Sequence, residues 1–227
     1  MSEPKSSPRP LRIDIVSDVV CPWCIIGYKR LEQALEALSD QVEAEIHWHP
    51  FELNPHMQQG GEHLREHLAA KYGTTPEGSA RARAKLSALG EQLGFEFDYF
   101  DEMRMFNTFK AHQLLHYARE QGKESELKLR LFAAFFSERK QIDQLEVLVE
   151  EAAQVGLDPD EARALLQDER YAELVRAEQH GWMARGVRAV PTFVFNERYG
   201  VSGAQEAPVL QRLMLEALEP ESQQAAG

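Results

Sequence analysis

Apolar and polar side chains alternate from Leu11 to Ser17 (LRIDIVS), a period of two that predicts a β-strand. From Cys21 the period changes. Cys24, Tyr28, Leu31, Leu35 and Leu38 stand at i, i+4, i+7, i+11 and i+14, one apolar stripe of a helix, with Lys29, Arg30, Glu32, Gln33 and Glu36 off it. Partial alternation resumes over 42–53 (VEAEIHWHPFEL) and predicts a second strand, broken by Asn54-Pro55. From about His56 to Gly186 strong helix formers dominate. Helices are expected near 62–72, 76–93, 107–121, 124–139, 143–155, 159–167 and 169–185. Gly73, Gly94, Gly122 and Gly156 mark ends, and Asp158-Pro159 a start. Strand character returns at Pro191-Thr192-Phe193-Val194-Phe195. A turn is expected over 196–199, a hairpin partner from Tyr199-Gly200-Val201, and a last amphipathic helix over 208–218.

The order strand, helix, strand, helical block, strand, strand, helix is that of an α/β protein with a large all-helical insertion. Residues 11–54 and 187–219 would form one α/β domain and 55–186 the insertion. Residues 1–10, polar and proline-rich, and 220–227 would be flexible tails. The 227 residues suffice for a sizeable core.

The formal net charge of −12 repels phosphate backbones and anionic lipid surfaces, so neither nucleic acid nor membrane is an expected partner. No apolar run is long enough to span a bilayer. The opening MSEPKSSPRP has no apolar core of a secretory signal, which makes a cytoplasmic location the expectation. There are only two cysteines, three apart, which excludes a disulfide scaffold. In a reducing compartment such a pair is catalytic, redox-sensing or metal-binding.

Cys21-Pro22-Trp23-Cys24 stands where a strand ends and a helix begins. A helix N-terminus offers unpaired N–H groups and about half a positive charge, which stabilise a thiolate. Cys21, at the cap, is placed to attack a disulfide. Cys24, one turn in and on the apolar stripe, is placed to resolve the mixed disulfide. Pro22 suits the first turn, and Trp23 can cover the thiols with apolar surface. A zinc site would need two more ligands. His47 and His49 flank Trp48 on the second strand, and His112 and His116 are i, i+4 on a helix, but neither pair completes a set. No metal is expected.

The segment Ile13 to Lys29 (IDIVSDVVCPWCIIGYK) resembles the active-site segment of the DsbA-like thioredoxin superfamily, in its FrnE-like branch. Trp48 to Pro55 (WHPFELNP), Asn107 to Ala118 (NTFKAHQLLHYA) and Gly186 to Gln205 (GVRAVPTFVFNERYGVSGAQ) resemble further segments of that branch, in the same order along nearly the whole chain. The branch is similar to 2-hydroxychromene-2-carboxylate isomerases and kappa-class glutathione transferases. The resemblance implies a thioredoxin fold with a helical insertion between the second and third strands. It also implies a cis peptide before Pro191, facing the cysteines, with the backbone of Val190 pairing with substrate. Pro22, Trp23, Val190 and Pro191 are thus expected to bind substrate.

The activity implied is thiol–disulfide oxidoreduction on protein or small-molecule disulfides. It needs no cofactor beyond the cysteine pair, with glutathione a candidate co-substrate. A glutathione-dependent isomerase or transferase is the alternative, but those relatives generally carry serine where Cys21 stands. A redox-sensing interaction module is the third reading. Asp18, three residues before Cys21, is a candidate for proton exchange with Cys24, or simply a strand-end residue. Asp18, Asn107 and His112 are candidate cleft residues; for Asn107 and His112 the alternatives are a helix cap and a hydrogen bond at the core edge. With no positive charge between the cysteines, Cys21 is expected to be only moderately acidic. The potential should then be more reducing than that of DsbA, roughly −180 to −270 mV. The sequence names neither the substrate nor the oligomeric state.

Overall fold

The computed structural model describes residues 7–220. In chain order the elements are β1 (Arg9–Ser17), α1 (Pro22–Ala37), β2 (Val42–Pro50), β3 (Glu62–His63), α2 (Leu64–Tyr72), α3 (Pro76–Gln92), β4 (Arg104–Met105), α4 (Phe109–Glu120), α5 (Glu124–Phe136), α6 (Leu145–Gln154), α7 (Pro159–Gln167), α8 (Ala172–Ala184), β5 (Thr192–Phe195), β6 (Tyr199–Ser202) and α9 (Ala207–Leu218).

β1 pairs in parallel with β2, from Arg9 opposite Val42 to Ser17 opposite Pro50. Parallel neighbours need a crossover, and α1 supplies it. On its other side β1 pairs antiparallel with β5, which forms a hairpin with β6, so the sheet order is β2-β1-β5-β6. This is a thioredoxin fold, with the helical segments inserted between β2 and β5.

Successive strand residues face opposite sides of a sheet. Leu11, Ile13 and Ile15 of β1 and Phe193 and Phe195 of β5 enter the main core, where α1 packs on α9. Burying each such side chain is worth about 1.5–3 kcal/mol. Val16 and Val194 face the other side and meet Trp182 of α8 and Val187. The insertion shares the main core: Leu114, Leu131, Phe132 and Leu165 belong to the same cluster as the strand residues, and α5 and α8 both contact β2.

Several boundaries differ from the sequence reading. Arg9 and Pro10, expected in a tail, are the first residues of β1 because Val42 and Glu43 extend beside them. Residues 7, 8 and 220 are in no helix or strand, and the remaining tail residues, 1–6 and 221–227, lie outside the described residues. The insertion is not wholly helical: β3 and β4 form a two-residue antiparallel ladder. α5 ends at Phe136, before Arg139 takes a left-handed φ of 58°. α8 begins at Ala172 because Glu169, at φ 50°, breaks the expected start. β2 stops at Pro50, which has no N–H to extend a ladder.

Candidate active site

Cys21 is the N-cap of α1, in extended conformation (φ −90°, ψ 111°), with Pro22 in the first helical position. Its N–H donates to the Asp18 carbonyl at 3.2 Å, and the Cys24 N–H donates to the Cys21 carbonyl at 3.0 Å. Both cysteines are free thiols. Cys24 is fully buried. Cys21 is 4% exposed, and with Pro22, Trp23 and Val190 it lines a cavity of about 480 Å³. Trp23 projects at 39% exposure.

The Val190–Pro191 peptide is cis. The Cys21 thiol lies 3.7 Å from the Val190 carbonyl oxygen. Pro191 is buried behind Val190, against α1. The close approach depends on Gly27, where a Cβ would stand 3.1 Å from both Pro191 Cγ and Phe193 Cζ. The loop is pinned from its other side. The Gly203 N–H donates to the Pro191 carbonyl at 2.7 Å, and the Thr192 hydroxyl reaches the Ala189 carbonyl and Ser202 Oγ, each at 2.8 Å.

Asp18 is fully buried. Its carboxylate accepts the Leu53 N–H at 2.8 Å and faces His112 Nε2 at 3.2 Å. That nitrogen also lies 3.1 Å from the Phe51 carbonyl. Two acceptors around one ring nitrogen require it to carry the proton. His112 thus stands behind the cysteine loop rather than in the cavity. Asn107 does not reach the cavity either: one residue before the N-cap Thr108, its side-chain oxygen accepts the Phe109 N–H at 2.9 Å, at the start of α4. The expectation of Asp18, Asn107 and His112 as cleft residues is corrected accordingly; none lines the cavity, and their hydrogen-bonding needs are met locally.

Sequence reasoning missed Lys128 of α5. It is buried, its ammonium donating to the Ser17 carbonyl at 3.4 Å and standing 5.3 and 5.4 Å from the ring centroids of Trp48 and Phe132. Desolvation pushes its pKa down to about 8, against the pull of Cys24 and Asp18. A signal existed. Lys128 lies three before Leu131 and four before Phe132, on the buried face of its helix.

The two thiols titrate as one pair. Burial works against a thiolate on Cys24, but hydrogen bonds from the Cys21 thiol, the Ser17 hydroxyl and the Asp18 backbone, with a smaller contribution from the Lys128 charge, outweigh it and hold that thiol below its ordinary value. The bond between the two thiols, with burial and the charge on Cys24, pushes the Cys21 thiol up. The environment thus favours a single thiolate on the pair over two. This runs against the expectation of a moderately acidic Cys21, since the burial and the Cys24 contact that oppose its thiolate arise only from tertiary packing.

His49 does not approach the cysteines. It lies between Asp14, 2.7 Å from Nε2, and Glu178, 2.5 Å from Nδ1, and joins the sheet to α8.

A family model for the DsbA-like thioredoxin domain matches residues 12–214. The protein YwbO of Bacillus subtilis (strain 168) is 27% identical over 203 residues, covering 89% of this chain and 94% of that one. A crystal structure from Streptomyces coelicolor, SCO1869, described as a probable DsbA oxidoreductase, superposes with a TM-score of 0.86 at 36% identity, covering 91% of this chain and 89% of that one. The cytosolic disulfide reductase DsbM of Pseudomonas aeruginosa, solved with glutathione, shares the fold with a TM-score of 0.61 at 18% identity, covering 91% of this chain and 98% of that one. With strand order, cysteine placement and family model in agreement, the chain belongs to the DsbA-like thioredoxin domain family.

Proposed function

We propose that the protein is a thiol–disulfide oxidoreductase in which Cys21 is the nucleophile and Cys24 the resolving thiol. Its substrates are disulfides of proteins or small molecules. The observation that carries this reading is the unequal access of the two sulfurs: Cys21 lines the cavity, and Cys24 is sealed beneath it. Only Cys21 can meet a substrate disulfide in line.

The shared proton fits the same division of labour. Moving it from Cys21 to Cys24 places the thiolate on the sulfur that borders the cavity, beside the N-terminus of α1. Attack on a substrate disulfide then leaves Cys21 in a mixed disulfide. Cys24, supported by Lys128, attacks the Cys21 sulfur and releases the reduced substrate. Pro22, Trp23 and Val190 form the surface that holds the substrate, with the Val190 carbonyl beside the reacting sulfur. Pro191, buried behind Val190, shapes the loop rather than touching substrate, against the expectation from the sequence. Asp18 opposes a thiolate on Cys21. Its bonds to Leu53 and His112 keep its own charge satisfied.

The dithiol carries the electrons, so the reading requires no bound cofactor. Glutathione is the co-substrate that would return the electrons. In a reducing cytoplasm the pair would rest as dithiol and act as a reductant. Insulin reduction with wild type, Cys21→Ser and Cys24→Ser in parallel tests the proposal. Wild type should turn over, Cys21→Ser should not, and equal activity of all three proteins would overturn the assignment.

A further inference from the structure

We propose that the cavity beside Cys21 binds a low-molecular-weight disulfide with an apolar body and a negative charge, and that such compounds are substrates of the thiol pair. The proposal rests on the oxidoreductase reading above and specifies its substrate class.

The volume of about 480 Å³ is that of a small-molecule site. Its wall is contributed by the insertion: Leu64, Leu86, Met103, Met105 and Phe135 are all buried and apolar. The charged lining has one sign. Lys71, Arg83 and Arg188 border the cavity, and no aspartate or glutamate does, in a chain that has 37 of them.

These three cations are also available. Lys71 donates to the Leu53 carbonyl and to Asn54 Oδ1, at 2.6 and 2.7 Å. Arg83 donates to Ser79 Oγ at 2.8 Å, and Arg188 to the Val187 carbonyl at 3.0 Å. Among the described residues none of the three has a carboxylate partner. By contrast Arg65, Arg139, Arg163 and Arg170, away from the cavity, each meet an acidic side chain. The net charge of −12 does not repel an anion from this site. At physiological ionic strength charges beyond about 8 Å are screened, so the local cations decide.

The chemistry balances within the ligand and the cysteine pair. The Cys21 thiolate attacks one ligand sulfur. The ligand S–S bond breaks as the Cys21–S bond forms, and the departing thiolate takes a proton from solvent. Cys24 then attacks Cys21, forming the intramolecular disulfide and releasing the second thiolate, which is also protonated. The ligand gains two electrons and the pair loses two. An added dithiol, dithiothreitol, restores them.

The test compares para-dithiodibenzoate with its uncharged bis-amide, which has the same aromatic body, and with glutathione disulfide, which is anionic but polar. Hydroxyethyl disulfide reports on the thiol centre itself. Each kcat/KM is divided by the rate constant of that disulfide with free dithiothreitol. The dianion should exceed the bis-amide by roughly tenfold, the scale of one partly desolvated ion pair. It should also exceed glutathione disulfide. Arg83→Gln and Arg188→Gln should each bring the ratio of dianion to bis-amide towards unity. Arg188 is exposed, so its replacement leaves the core intact. Turnover of hydroxyethyl disulfide with no preference for the dianion, or a preference that neither variant moves, overturns the assignment of the cavity alone. Parity with glutathione disulfide overturns the apolar part of it. Absence of turnover with every disulfide overturns the oxidoreductase reading as well.

Discussion

The ammonium of Lys128 donates to the carbonyl oxygen of Ser17 at 3.4 Å, and so fixes a buried positive charge at the end of the strand that leads into the cysteine pair. No carboxylate lies within ion-pair distance of it among the described residues. Its charge acts on the thiolate of Cys24, as well as on Asp18 and Glu124.

Lys128→Met should make the cysteine pair more reducing. A thiolate belongs to the reduced form, and withdrawing the charge that stabilises it lowers the potential. A loss of about 1.4 kcal/mol corresponds to about 30 mV for this two-electron couple. Methionine keeps most of the packing against Trp48 and Phe132, and replacing a buried charge by an apolar group is often neutral for stability. Equilibration with glutathione buffers, read by thiol alkylation, measures the shift. An unchanged potential would remove Lys128 from the account.

The His49 network predicts a pH dependence of stability. Burial alone would lower the pKa of His49, but its bonds to Asp14 and Glu178 outweigh this and raise it. A raised pKa means that the folded state holds the proton more tightly. The contribution is complete below the unfolded value of about 6.5 and is lost as pH rises through the folded value. Asp14 works in the opposite sense. Desolvation opposes its charge, yet His49 and Arg12 hold it down at about 2. Its contribution is present above the unfolded value of about 3.9 and is lost as pH falls towards the folded one. Thermal melts across pH should show wild type losing stability on the alkaline side, and His49→Gln should flatten that limb. Parallel profiles for the two proteins would contradict the linkage.

Gly27→Ala sets two effects against each other. Alanine in a helix interior gains about 1 kcal/mol over glycine. Here its Cβ meets Pro191 and Phe193 at 3.1 Å, in a loop held by Gly203 and Ser202. Overpacking of this kind costs about 1–3 kcal/mol. The loop has little room to give, so the variant should be less stable by roughly 1 kcal/mol and should exchange disulfides more slowly. Urea denaturation measures the first effect and insulin reduction the second. A variant more stable than wild type would show that the loop yields.

The strand, the cysteine pair and α1 were legible in the sequence because the period changes from two to 3.6 at Cys21 and Pro22 suits only a first turn. The helices of the insertion were legible from their glycine and Asp158-Pro159 punctuation. β3 and β4 were not, since two residues leave no periodicity. Lys128 was missed because a lysine within a helical stripe reads as solvent-facing. The cavity was invisible for a different reason. Its cations come from α2, α3 and the loop after α8, and only the tertiary fold brings Lys71, Arg83 and Arg188 to Cys21.

The central claim is the assignment of attack to Cys21 and resolution to Cys24. Trapping tests it most directly. Each single-serine variant is mixed with a disulfide substrate, quenched in acid and weighed by mass spectrometry. The account predicts that Cys24→Ser accumulates a covalent mixed disulfide through Cys21 and that Cys21→Ser accumulates none. A stable adduct on Cys24 in the Cys21→Ser protein would contradict it.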